Sequence, residues 1–227
     1  MSADNEVQSE AAVSASANVK LDGIYAFKVG MSTVFSDTGE AIPVTVLKYE
    51  PAVVSQVKNA QADGYAAVQL AFCPKKAKNT SKAMASNLSK AGFAGGAKFV
   101  REIRQSQLPE DVAVGQKVSI ESLAKGDVVQ ISARSKGRGF AGVVKRHGFG
   151  GGPGAHGSGF HRAPGSVGNR TWPGRVMKGR RLPGHMGDKL ITVKGVEVVE
   201  VLPEENVVLV KGPVPGARNN LVKLIKQ

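Results

Sequence analysis

Residues 190–211 read LITVKGVEVVEVLPEENVVLVK and form the clearest β-hairpin pattern in the chain. We predict strands at Leu190–Val201 and Val207–Lys211, with the turn at Pro203–Asn206 between them. Valine is dense in both halves, and β-branched side chains pack well on a pleated sheet. Both strands are therefore expected to be buried on at least one face.

Further strand patterns lie N-terminal to this hairpin. They predict strands at Ile24–Val29, Ile42–Leu47, Ala52–Lys58, Tyr65–Phe72, Phe99–Ile103, Lys117–Ile120 and Val128–Ala133. Turn signals occur at Asp37–Glu40 and Asp63–Gly64, and Pro43 is expected at a strand start or edge because it has no amide donor. A small β domain must protect its strand edges. We therefore predict a mainly β protein with one closed or nearly closed antiparallel β-barrel, built from residues 21–134 and 188–227.

Residues 74–98 interrupt this pattern with six lysines and no acidic residue. A short helix is predicted at Ser81–Ala91, with Thr80 or Ser81 as its N-cap and Gly92 just past its end. We interpret the segment as a small helical insertion in the β domain. Its lysines fit either a solvated face or a second RNA contact.

The stretch from Val128 to Gly187 contains no aspartate and no glutamate, but it contains eleven of the 31 lysines and arginines. Outside it, 20 basic residues face 18 acidic ones, so the net charge of +13 belongs mainly to this stretch. Sixteen of the 28 glycines lie there as well. Such a segment has too little apolar surface to fold alone, so residues 135–187 are predicted to be a long irregular extension loop that binds a polyanion, most plausibly RNA.

Other features of the chain exclude several classes of protein. Residues 1–20 lack a basic and an apolar region, so they predict a disordered tail rather than a signal peptide. No apolar run approaches the length of a membrane span, and the expected location is the cytoplasm. A single cysteine, Cys73, excludes a disulfide framework and a cysteine-based zinc site, and its apolar neighbours predict a buried structural thiol.

Residues 137–142 (GRGFAG) match the glycine pattern of dinucleotide-binding folds. That fold also needs a helix and an acidic residue about 20 positions later, but the next acidic residue is Asp188, and the glycines around Pro153 prevent a long helix. The preferred interpretation is that glycines without a Cβ atom let backbone amides approach phosphates.

The histidines and the tryptophan suggest stacking rather than catalysis or metal binding. The spacing of the four histidines fits no zinc pattern, and no carboxylate lies nearby to orient a catalytic triad. We predict no catalytic site, no metal and no cofactor. Trp172 lies between Arg170 and Arg175, where it could serve as packing or stack on a base.

Many motifs, in order, resemble the bacterial form of the ribosomal protein L-three family. The resemblance is strongest at Ser135–Gly142 (SKGRGFAG), His156–Gly157, His161–Arg162, Pro164–Gly168 (PGSVG), Pro173–Val176 (PGRV), Lys178–Arg181 (KGRR) and Gly184–Gly187 (GHMG). It begins at Lys28–Phe35 (KVGMSTVF) and closes at Leu209–Gly216 (LVKGPVPG).

This resemblance implies a structural constituent of the large ribosomal subunit, with a barrel of the translation-protein type. The family binds near the 3′ end of the large-subunit rRNA, acts early in subunit assembly and extends a loop toward the peptidyl transferase centre. Its neighbours include the large-subunit proteins numbered fourteen and nineteen. Many bacterial relatives carry a methylated glutamine near the loop tip, where the matching position here is Gly152, so this modification is expected to be absent.

The predicted rRNA-binding side chains are Arg134, Lys136, Arg138, Lys145, Arg146, His156, His161, Arg162, Arg170, Trp172, Arg175, Lys178, Arg180, Arg181 and His185. Close backbone approach to phosphates is predicted at Gly137, Gly139, Gly142, Gly165 and Gly168. Two alternatives remain: a nucleotide-dependent enzyme built on the glycine motif, and a general nucleic-acid architectural protein.

Overall fold

The computed structural model describes residues 18–93, 95–106 and 112–227. The strands are β1 Gly23–Phe35, β2 Ala41–Tyr49, β3 Val53–Lys58, β4 Ala67–Pro74, β5 Ala97–Arg104, β6 Val128–Arg134, β7 Phe140–Ala141, β8 Gly184–His185, β9 Leu190–Leu202, β10 Val207–Lys211 and β11 Leu221–Lys226. The α-helices are short, with α1 at Ala60–Asp63, α2 at Lys82–Ser89 and α3 at Val143–His147. The prediction of a mainly β protein with antiparallel sheets is confirmed.

The chain divides into two compact units. The first unit comprises residues up to Ala133 together with Thr192–Gln227, and the second comprises Arg134–Ile191. No helix in the described ranges has the length and apolarity needed to cross a membrane.

Six strands are hydrogen-bonded in the closed order β1–β11–β6–β9–β10–β2, which makes a barrel. Each of these strands contributes buried apolar side chains, among them the fully buried Ile24, Leu47, Ile131 and Leu224. The predicted hairpin of β9 and β10 is confirmed, and its strands pair from Val207 opposite Leu202 onward. Because side chains alternate between the faces of a strand, one apolar face from each strand fills the interior.

The sequence prediction misses β11 at Leu221–Lys226, which closes the barrel between β1 and β6. Val222 and Leu224 are fully buried in it, Lys223 lies between them on the other face, and Lys226 ends the strand exposed. Lys223 is partly buried, and this burial lowers the pKa of its ammonium group.

The prediction of a single barrel is wrong for three strands, because β3, β4 and β5 form a separate antiparallel sheet. Strand β4 is buried on both faces, unlike a barrel strand with one solvated face. Val68, Leu70 and Phe72 join the main core, whereas Ala71 packs with Leu88 of α2. The insertion helix therefore covers the second face of this sheet.

Aromatic rings join the small sheet to the barrel within the first unit. Phe72 lies 5.7 Å from Tyr25 and 5.5 Å from Phe99 between ring centroids, and both pairs are stacked. Burial of Tyr25 raises the pKa of its phenol to about 12. Offset aromatic pairs add stability beyond the area that they bury.

Two further predictions need correction. Lys117–Ile120 is not a strand, because Lys117 and Val118 form only isolated bridges before a 3₁₀ turn begins at Ile120. Residues 1–17 of the predicted tail lie outside the described residues, but Val19 is buried and pairs with Val118. The end of the predicted tail is therefore part of the folded first unit.

The predicted helix of the insertion forms as α2, and Ser81 rather than Thr80 caps it by accepting a hydrogen bond from the Met84 amide. Cys73 is half-buried, and its Sγ lies 2.7 Å from a carboxylate oxygen of Glu50. Burial, reinforced by Glu50, raises the pKa of the Cys73 thiol to about 12. The thiol is therefore protonated at neutral pH, as expected for a structural cysteine.

Candidate nucleic-acid interface

The second unit begins with a ladder between its outgoing and returning chains. The Ser135 amide donates to the Lys189 carbonyl at 2.8 Å, and the Arg138 amide donates to the Met186 carbonyl at 2.9 Å. Strands β7 and β8 continue the ladder, with Phe140 opposite His185. The two ends of the acid-free stretch are thus held together by backbone hydrogen bonds.

Gly187 is required for this ladder to close. Its φ is +77°, and an added Cβ atom would collide with the Lys136 carbonyl oxygen and lie 3.0 Å from the Arg138 nitrogen. A residue other than glycine would be strained by its backbone conformation and by this contact. The GHMG motif therefore has a structural reason at its last position.

Arg134 and Asp188 form a bidentate ion pair at the base of the ladder. The Arg134 Nε donates to Asp188 Oδ1, and Nη2 donates to Oδ2 at 3.0 Å. Asp188 is the first acidic residue after the acid-free stretch. Part of the Arg134 charge is therefore already compensated within the protein.

Helix α3 is a single turn bounded by two glycines. Gly142 is its N-cap, and Gly148 ends it in the left-handed conformation with φ of +72°. From this turn, Arg146 Nη1 donates to the Leu182 carbonyl at 2.6 Å, and His147 Nε2 donates to the same oxygen at 3.0 Å. Arg146, predicted to bind RNA, thus binds the protein backbone through one of its nitrogens.

The fifteen predicted rRNA-binding side chains are otherwise directed to solvent. All are exposed except Arg146, which is half-buried. Apart from Arg134, none of them forms an ion pair within the part of the chain that the structure describes. This surface therefore carries many cations without compensating acids, as expected for a polyanion-binding surface.

Exposed aromatic side chains accompany these cations. Trp172 is 85% exposed and Phe140 is 80% exposed. The alternative that Trp172 serves as core packing is therefore wrong for this structure. Exposed rings beside arginines are typical of surfaces on which bases stack.

The five glycines predicted to approach phosphates fall into two groups. Added Cβ atoms at Gly139 and Gly142 would meet no atom within 4 Å, so backbone there is open to a partner. At Gly137, Gly165 and Gly168 a Cβ atom would lie 3.7, 3.3 and 3.9 Å from neighbouring protein atoms. Of these, Gly165 has φ of +77° and packs against the Phe160 ring.

Sequence reasoning missed the packing of Phe160 against the glycine-rich loop tip, residues 148–154. Its ring lies against Gly152 and Gly165, while the Gly152 amide donates to the His161 carbonyl at 2.6 Å. The available signal was a large aromatic residue among glycines that leave room for it. His156 and His161 form no metal cluster here, and no group of three or more His, Cys, Asp or Glu in the described ranges is placed to hold a metal ion.

Comparison with known proteins places these features in a family. The sequence profile described as "Ribosomal protein L3" matches residues 102–202, which include the whole second unit. The large ribosomal subunit protein uL3 of Bdellovibrio bacteriovorus is 62% identical over 211 residues, covering 93% of this chain and 96% of that protein. The chain belongs to the ribosomal protein L3 family.

Two further members of the ribosomal protein L3 family show the same coverage of nearly the whole chain. The uL3 proteins of Desulfotalea psychrophila and Oceanobacillus iheyensis are 49% and 46% identical, over 90% and 89% of this chain. The two alignments span 98% and 95% of the lengths of these relatives. The family assignment therefore applies to both units.

Proposed function

We propose that this chain binds the large-subunit rRNA near its 3′ end and helps to nucleate assembly of the subunit. As a member of the ribosomal protein L3 family, it is a structural constituent of the large ribosomal subunit. In this proposal, the β-barrel is of the translation-protein type and docks on a folded RNA surface. The proposed location is the bacterial cytoplasm, within the ribosome.

Residues 135–187 are proposed to be the extension that penetrates the rRNA toward the peptidyl transferase centre. The proposed protein neighbours are the large-subunit proteins numbered fourteen and nineteen. The chain itself is proposed to have a structural role and no catalytic one, in keeping with the names of its relatives.

The observation that carries the proposal is the surface of the second unit. Fourteen predicted RNA-binding side chains are exposed there, and the 60-residue stretch around them contains no acidic residue. Arginine can bridge phosphates and stack on bases, whereas lysine acts as a point charge. Where RNA helices crowd together, these cations would neutralise phosphates that otherwise repel each other.

The salt dependence of binding tests this proposal. If six to eight phosphates are neutralised, a plot of log K against log salt concentration should have a slope of roughly −4 to −7. The measurement uses the full chain and an rRNA fragment spanning the 3′ domain, with a DNA duplex of equal length at the same salt as comparator. An affinity that does not change with salt contradicts the proposal, and equal affinity for DNA favours a general architectural protein.

Matched charge variants make the test specific to the second unit. The variant R170Q/R175Q/K178Q removes three exposed cations, and each is expected to reduce the slope by about 0.7 to 0.9. The control K20Q/K211Q/K226Q removes three cations of the first unit that are paired with Glu121, Glu197 and Asp127. The proposal expects a smaller slope for the first variant and little change for the control.

The alternative of a nucleotide-dependent enzyme has one supporting feature, because α3 does begin at the third glycine of the motif. The helix ends after one turn, and Asp188, the next acidic residue, is bound to Arg134. The acidic residue that follows the motif is thus already paired with Arg134 rather than placed to bind a ribose. A thermal-shift screen with dinucleotides should show no stabilisation, since a true ligand raises the melting temperature by mass action.

A further inference from the structure

A cleft of about 380 Å³ lies within the second unit, and binding of RNA phosphates to exposed cations does not account for it. Phe149, Val167 and Leu182 give it apolar walls, and Arg180 and Arg181 line it with positive charge. Its volume is at the small end of the range for ligand pockets, about 300–1,000 Å³. It is therefore large enough for a small planar group and too small for a folded RNA element.

The walls of this cleft are fixed by hydrogen bonds from charged or ring nitrogens to backbone. The Leu182 carbonyl accepts hydrogen bonds from Arg146 at 2.6 Å and from His147 at 3.0 Å. Arg180 Nη2 donates to the carbonyl of Ser166, another lining residue, at 2.7 Å. These hydrogen bonds hold the lining residues in place when the second unit is folded.

Helix α3 also positions the aromatic wall. Phe149 follows the Gly148 cap directly, and its ring lies 6.1 Å from the His147 ring between centroids. His147 therefore touches two parts of the cleft, through Leu182 and through Phe149. This gives His147 a positioning role that its place in the sequence does not reveal.

The chemistry of the lining selects its occupant. A phosphate alone would bind the arginines but leave the three apolar walls without a contact. An apolar side chain would contact the walls but leave the arginines without a partner anion. An unstacked nucleotide needs both, because its base stacks on aromatic or apolar surface and its phosphate pairs with arginine. The absence of any acidic residue from 128 to 187 removes the local repulsion that such an anion would meet.

We propose that this cleft holds one unstacked nucleotide of the rRNA, with its base against Phe149, Val167 and Leu182 and its phosphate at Arg181. The inference rests on the proposed function, since it requires that the second unit binds RNA. The second unit would then recognise one unpaired nucleotide in addition to the phosphate charge and the shape of the folded RNA.

The test fills the cleft and compares a matched substitution outside it. V167F places a ring in the cleft, whereas V176F makes the same change at a side chain that is 51% exposed and does not line the cleft. The full-length proteins are bound to the 3′-domain rRNA fragment. Binding is measured across a salt series, and the reactivity of each unpaired base is measured with reagents that modify its Watson–Crick edge.

The proposal expects wild-type protein and V176F to protect the same unpaired base. V167F should expose that base, leave the other protections in place, and weaken binding by about tenfold, the size of one stacking contact. Its salt slope should become shallower by at most about 0.7 to 0.9, because only the one phosphate contact at Arg181 is lost. Unchanged protection with V167F, or the same loss with V176F, overturns the proposal.

A second variant covers the case in which V167F fails to fold. L182A widens the cleft without filling it, and the reactivity of the same base should rise to a value between wild type and free RNA. Full protection of that base by L182A counts against the proposal. If wild-type protein shows no salt-dependent binding at all, the proposed function fails instead, so the two failures are distinguishable.

Discussion

At the scale of single residues, glycine determines what the acid-free stretch can do. Gly187 allows its own segment to approach the backbone of Lys136–Arg138 closely, and Gly152 leaves room for the Phe160 ring. The sequence alone indicated glycines that approach phosphates, and Gly139 and Gly142 remain open for that role. It did not indicate which glycines serve protein packing, because the atoms that fill their space come from residues several positions away.

The contact between Gly152 and Phe160 leads to a prediction for the loop tip. An added Cβ atom at Gly152 would lie 2.9 Å from Phe160 Cβ and Cγ and closer still to Cδ1. We expect G152A to destabilise the tip by about 1–3 kcal/mol, the usual cost of overpacking. Hydrogen exchange of the Ala163 amide, which donates to the Phe160 carbonyl at 2.8 Å, should then be faster by roughly one to two orders of magnitude.

Gly154 provides the matched control, because an added Cβ atom there meets nothing within 4 Å and its φ is not in the left-handed region. G154A should leave exchange at Ala163 unchanged. Adding G152A to an F160A background should destabilise this region much less than adding G152A to the wild-type protein, because the Phe160 ring is then absent. Equal exchange rates in G152A and G154A would mean that Phe160 does not restrict position 152.

For the charged residues, the sequence predicts which side chains are exposed to solvent better than it predicts their hydrogen-bond partners. The exposed cations follow directly from a stretch without acids, since isolated charges stay in water. The bonds of Arg134 to Asp188 and of Arg146 to Leu182 do not follow, because each joins residues 54 or 36 positions apart. Such pairs depend on where the ladder brings the two chains together.

At the scale of elements, the β9–β10 hairpin was predictable and β11 was not. The hairpin has valine on both strands and a turn between them, whereas β11 has six residues, two of them lysines. Apolar residues alternate at Val222 and Leu224, but this alternating pattern is too short to distinguish a strand from a loop by sequence alone. Closure of the barrel through pairing with β1 and β6 decides its conformation.

The role of β11 leads to a prediction about stability. Leu224 is fully buried between the partners of β11, so L224A should reduce the free energy of unfolding by about 2–5 kcal/mol. Leu190 is 75% exposed, and L190A makes the same chemical change with an expected effect within about 0.5 kcal/mol. Urea unfolding followed by circular dichroism measures both variants, and similar midpoints for the two would argue against β11 as a core strand.

At the scale of the whole molecule, the two units differ in what stabilises them. The first unit contains nearly all of the buried apolar side chains, whereas Ala141 and Val143 are the ones that the described part of the second unit contributes. Hydrophobic burial is the dominant favourable term in folding. The second unit therefore relies on its backbone ladder and, in the proposed function, on RNA.

This difference predicts how a protease acts on the free and the bound protein. In free protein, trypsin should cut within residues 135–187 first, at exposed sites such as Arg162, Arg170 and Arg175, because little apolar burial opposes local opening there. Bound to the rRNA fragment or the large subunit, the same sites should be cut at least tenfold more slowly, since RNA supplies the missing contacts. Exposed lysines of the first unit outside residues 74–98, such as Lys125 and Lys211, provide the internal control. Equal cutting of 135–187 in both states would show that RNA does not order the extension.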